Sequence, residues 1–146
     1  MTRRVPELPP GEELRATTSA SFRGAAAAST RATFAFASQR MRDRAYDAWR
    51  DAVEAAGFPT AGPEMIVALT NRRLLVYHTS FWSGRPTTAG GSIDLDRVHT
   101  VVIKRHGMVV GLAFALTNGQ IVELEAIRGW RIRRFAHAVT AALADL

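Results

Sequence analysis

The chain has 146 residues, 47% hydrophobic and 22% charged, with a formal net charge of +6, enough for one globular domain with a real core. It has no cysteine, which excludes disulfides, thiolate metal sites and cysteine nucleophiles. The basic excess is dispersed, nine arginines against seven acids over residues 1–60 and ten basic residues against six acids over 61–146, so a basic tail is absent.

Residues 1–11, with Pro6, Pro9 and Pro10, read as a flexible N-terminal arm. Arg3 and Arg4 are followed by no apolar run, and no stretch approaches the ~18 apolar residues of a bilayer span. A cytoplasmic protein is expected, with peripheral contact at the inner membrane surface as the furthest it would go. A single domain is expected over residues 12–146. Glu12 to Phe22 alternates loosely and suggests a first strand. Residues 24–38 mix helix-favouring alanines with the alternating stretch ATFAFA, and a helix is expected there. Gln39 to Ala56 repeats Met41, Ala45, Ala48, Trp49, Ala52 and Val53 at helical spacing, with Arg42, Asp43, Asp47, Arg50 and Glu54 facing elsewhere. Gly57 caps this helix and Pro59 prevents its continuation, giving a helical insertion over about residues 24–57.

Beyond Gly62 and Pro63 the period becomes that of strands. Met65 to Leu69 and Leu74 to His78 form a hairpin about Thr70-Asn71-Arg72-Arg73, with Asn71 suited to the positive φ of a tight turn. Arg72 and Arg73 then occupy the turn and the first strand position, where charge faces water. Ala89 to Ser92 reads as a flexible turn, Ser92 to Leu95 as a short strand and Val98 to Arg105 as a longer one. Two strands flank Asn118-Gly119. Val110, Leu112, Phe114 and Leu116 share one face of the first, and Val122, Leu124 and Ala126 share one face of the second. A two-residue turn would set Phe114 opposite Glu123. A three-residue loop, Thr117-Asn118-Gly119, sets Phe114 opposite Val122 and Leu112 opposite Leu124, so a type I turn closed by a left-handed Gly119 is expected. Residues 129–145 form a last helix, with Ile132, Phe135, Ala136, Val139, Ala142, Leu143 and Leu146 on one stripe.

The fold class is therefore α+β, a bent seven-stranded antiparallel sheet capped by the C-terminal helix. The order of elements, with PGEEL at Pro10 to Leu14, LTNRRLLVY at Leu69 to Tyr77, SIDLDRV at Ser92 to Val98 and LTNGQIVELEA at Leu116 to Ala126, resembles bacterial pleckstrin-homology-like (PH-like) domains of the YokE-like and GRAM-related groups. The resemblance covers about 85% of the chain and implies a PH-like barrel or sandwich, with a long helical insertion between strands 1 and 2.

The four histidines are scattered, and HExxH, GxSxG, Walker and GxGxxG patterns are all missing. Asp94 and Asp96 end a strand and begin a turn. No catalytic residue, metal or cofactor is assigned, and the expected protein is not an enzyme. Two features stand above background. Phe81 and Trp82, followed by Arg85, combine large aromatics with a cation at a loop tip, a pairing common where proteins bind. Arg128, Arg131, Arg133 and Arg134 crowd the start of the last helix, where backbone N–H groups also favour an anion; Glu123 and Glu125 on the preceding strand are expected to neutralise some of them. The expected function is a binding module for a protein or peptide partner, or one that self-associates. The alternative is a binder of anionic lipid surfaces through Phe81, Trp82, Arg85, Arg128, Arg131 and Arg134. Nucleic acid is disfavoured, because no basic and aromatic strand face or recognition helix is visible.

Overall fold

The computed structural model describes residues 5, 6, 8–25, 38–80, 85–126 and 129–146, with backbone alone for residues 38, 39, 129 and 130. Its centre is a seven-stranded sheet built from β1 (Leu14–Phe22), β2 (Glu64–Thr70), β3 (Arg73–Thr79), β4 (Pro86–Asp94), β5 (Val98–His106), β6 (Val109–Leu116) and β7 (Ile121–Ala126). The strand order is β4-β3-β2-β1-β7-β6-β5 and every neighbouring pair is antiparallel. Helix α1 (Ser38–Ala55) is inserted after β1, and helix α2 (Gly129–Ala144) follows β7. This is the expected α+β architecture.

β1 is the hinge of the sheet. It pairs with β2 along its length and, among the described residues, with β7 through Ala20 to Phe22, and the two halves it joins enclose one core. Met65, Val67, Leu69, Leu74 and Val76 from one half meet Leu112, Phe114, Val122 and Leu124 from the other. α2 lies across β5, β1 and β6 and brings Ile132, Phe135 and Val139, all at 0% exposure, whereas Leu146, expected on the same stripe, lies past the end of the helix and is 70% exposed. Burying side chains of this size stabilises by about 1.5–3 kcal/mol each.

α1 fills the other opening. Val53 and Ala56 are buried and Trp49 half-buried, whereas Met41, Ala48 and Ala52 of the expected stripe are exposed. The inward face is Tyr46, Trp49, Val53 and Ala56. It is rotated because Phe22, at the end of β1, offers its ring to Tyr46 at 5.6 Å and to Trp49 at 6.3 Å, and alanines carry too little surface to outweigh that contact. Trp49 Nε1 donates to the Glu123 carbonyl at 2.9 Å, and Asn118 Nδ2 donates to the Ala56 carbonyl at the end of α1 at 2.9 Å. The expected helix over residues 24–38 falls largely on 26–37, outside the described residues.

The β6–β7 register is the expected one: Phe114 pairs with Val122 and Leu112 with Leu124. Gly119 has φ 87° and donates its N–H to the Leu116 carbonyl at 3.0 Å. The β2–β3 hairpin is present, but Asn71 does not take a positive φ. Its side chain instead accepts from the Glu13 N–H at 2.8 Å and donates to the Gly11 carbonyl at 3.2 Å, clamping the start of β1 to the turn. Arg73, expected to face water, makes a two-pronged pair with Glu12 at 2.7 and 3.0 Å. The Glu12 side chain is 2% exposed.

The segment expected as a flexible turn, Ala89 to Ser92, belongs to β4, which begins six residues before the expected strand. A Cβ at Gly90 would stand 2.5 Å from Ala61 Cβ and 2.6 Å from the Thr60 carbonyl oxygen. The missing side chain is what lets the chain leaving α1 lie against β4. On the opposite face of β2 and β3, Ile66, Ala68, Leu75 and Tyr77 form a second buried cluster, against which Val5, Leu8 and Leu14 pack.

Candidate functional site

β4 and β5 terminate the sheet, and each pairs on one side only among the described strands. The two edges are built differently. β4 opens with Pro86, which has no N–H to offer, and its pairing with β3 shifts twice, at Val76/Tyr77 and at Tyr77/Thr79. Proline and bulges blunt an edge against further pairing. β5 is nine residues long and has a single irregularity near its start, between Val98 and Thr100. From Thr100 to His106 it is regular.

The side chains of β5 divide by the pleat. Val101 and Ile103 sit opposite Phe114 and Leu112 and point to the core. Thr100, Val102, Lys104 and His106 point outward. Val102 is 45% exposed, a β-branched apolar residue at the midpoint of an edge strand, with Lys104 and Arg105 toward one end and a histidine near each end, His99 and His106. Its cross-strand partner on β6 is Ala113, too small to cover it.

An open cleft of about 510 Å³ adjoins the charged end of β5, lined by Arg23, Gly24, Trp49, His106, Val109 and Glu125. Its charges are balanced internally. Arg23 Nε lies 2.7 Å from Glu123 Oε2, with His106 Nε2 4.0 Å from the same oxygen. The Gly24 N–H donates to Glu125 Oε1 at 2.7 Å. The cleft therefore presents no concentrated field to an anion. Among the described residues no three His, Asp or Glu side chains converge as a metal site needs.

Phe81, Trp82 and Arg128 lie outside the described residues. Arg85 is exposed just before β4, and its carbonyl accepts from the Ser80 N–H at 2.8 Å, closing the β3–β4 connection. Arg131 is half-exposed and Arg134 exposed on the first turns of α2, an element separate from the one carrying Arg85. Glu123, expected beside the α2 arginines, pairs with Arg23. Neither the β5 edge nor the cleft was visible from sequence. An edge is defined by strand order, and the cleft gathers residues from the turn after β1, α1, β5, β6 and β7 with no shared motif.

No protein-family model matches this chain, and comparison with curated proteins finds no relative.

Proposed function

We propose that the chain is a non-enzymatic, PH-like binding module that takes an extended segment of a protein partner as an added strand along β5. The observation that carries this reading is the edge of β5, regular from Thr100 onward and paired on one side only among the described strands, with Val102 45% exposed at its middle. In strand addition, main-chain hydrogen bonds supply affinity and alternate side chains supply specificity. That mode requires no catalytic group and no charged pocket. Specificity would come from Val102 and Thr100, with Lys104 and His106 selecting polar or acidic residues at one end of the bound strand.

The test uses ten-residue peptides selected from a random displayed library against the full chain, with backbone amide exchange as the readout. Bound peptides are expected to slow exchange at Thr100 to His106, and N-methylation of alternate peptide residues is expected to abolish binding. Selected peptides that bind while leaving β5 exchange unchanged, or a selection that yields no binder, would overturn the proposal.

A further inference from the structure

Resting on the strand-addition reading, the geometry points to a second copy of this chain as an occupant of the β5 edge: we propose an antiparallel β5–β5 dimer whose two-fold axis passes through Val102.

The argument starts from the faces of the strand. One face of the sheet is core and the other is outer, so a pairing that keeps the faces continuous must set residues of the same parity opposite each other. A two-fold axis perpendicular to the sheet therefore passes through one residue paired with its own counterpart. β5 runs from Val98 to His106, and its midpoint is Val102. Centring the axis there sets Val102 against Val102 of the second copy and pairs the regular stretch from Thr100 to Lys104, beyond which Arg105 and His106 meet His99 and Val98 at the irregular start of the strand. Val101 then meets Ile103, which is half-buried and gains cover on the core side, and Thr100 meets Lys104. The three central residues are apolar on both faces, and this register superposes that centre on itself.

Charge selects the same arrangement. In the Val102-centred register the two Lys104 residues stand four positions apart along the strands, about 13 Å at ~3.3 Å per residue. That exceeds the ~8 Å screening length at physiological ionic strength. An axis through Lys104 would oppose the two lysines directly. A parallel pairing in register would stack Lys104, Arg105 and His106 each on its own counterpart. An axis through Ile103 would set Arg105 against Val101 on the core side, where charge is costly. An axis moved toward Val98 would draw the irregularity between Val98 and Thr100 into the centre of the pairing rather than leave it at the end. β4 offers no comparable edge, since Pro86 and two register shifts interrupt it.

The chain has no cysteine, so single cysteines report the register directly. Directly opposed strand residues approach to within disulfide reach. Val102→Cys is expected to form a covalent dimer under mild oxidation. Thr100→Cys and Lys104→Cys are each expected to cross-link poorly alone and well when mixed. Sedimentation equilibrium of the unmodified chain is expected to show a reversible dimer, with Val102→Arg weakening it at least tenfold. Ile121→Arg, altering a side chain 65% exposed on β7, is expected to leave it unchanged. A monomer at all concentrations, or a dimer that forms without cross-linking through position 102, overturns the proposal. If that monomer still slows β5 exchange on binding selected peptides, strand addition stands and self-pairing alone fails. If neither occurs, both readings fail.

Discussion

Glu12 is a carboxylate taken almost fully out of water, held by two guanidinium nitrogens of Arg73 and by the Thr70 hydroxyl at 2.8 Å. Removing the cation would leave the desolvation cost without its compensation. Arg73→Ala is therefore expected to destabilise more than Glu12→Gln, which keeps an uncharged acceptor for Thr70 and should cost about 1–3 kcal/mol. Urea unfolding of the two variants checks the ranking. The pair also sets a pH dependence. The hydrogen bonds from Arg73 outweigh burial and hold the Glu12 carboxyl below its ordinary value of 4.5. The folded state thus takes up this proton less readily than the unfolded chain. The contribution is complete above the unfolded value and is lost as pH falls through the lower folded one. The gap in Tm between the native chain and Glu12→Gln is expected to narrow on acidification from about pH 5 to about pH 3. A gap that stays constant over that range would show that the charge on Glu12 contributes nothing.

At the scale of elements, two glycines serve opposite purposes and should respond differently to one methyl group. Gly119 closes the β6–β7 turn at φ 87° with open space around a would-be Cβ. Gly119→Ala is expected to cost about 1–2 kcal/mol from backbone conformation alone. Gly90 has no such backbone demand, but its Cβ would collide with Ala61 and Thr60. Gly90→Ala must push the chain after α1 off β4, at a cost of about 1–3 kcal/mol or more, and should speed amide exchange in β4, which Gly119→Ala leaves unchanged. The two positions also show what could be read in advance. The β6–β7 register followed from alternation on two adjacent strands, because a wrong loop length sets Phe114 against Glu123. β4 could not be read that way. Its Gly90 and Gly91 look like a turn and make sense only beside Pro59 to Ala61, some thirty residues away in sequence. The inward face of α1 was misread for a related reason: Tyr46 is drawn in by Phe22 across a long insertion, and helical periodicity alone cannot see that partner.

At the scale of the whole molecule the net charge of +6 separates the candidate functions by the sign of their salt dependence. Two copies approaching through β5 repel at long range, while the paired centre of that strand is uncharged. Raising ionic strength from about 0.01 M to about 0.15 M shortens the screening length from ~30 Å to ~8 Å. Dimerisation is therefore expected to strengthen with salt, and sedimentation equilibrium at the two ionic strengths measures it. An anionic membrane surface, the alternative that uses Arg85, Arg131 and Arg134, predicts the reverse, because there attraction between unlike charges drives binding. Vesicles containing phosphatidylserine are expected to leave the chain in the supernatant at about 0.15 M salt. Pelleting that is strong at low salt, falls as salt rises, and is lost in an Arg131→Glu, Arg134→Glu double variant would transfer the function from the β5 edge to the start of α2. Both measurements use the same protein and the same two buffers, so opposite slopes cannot be attributed to conditions.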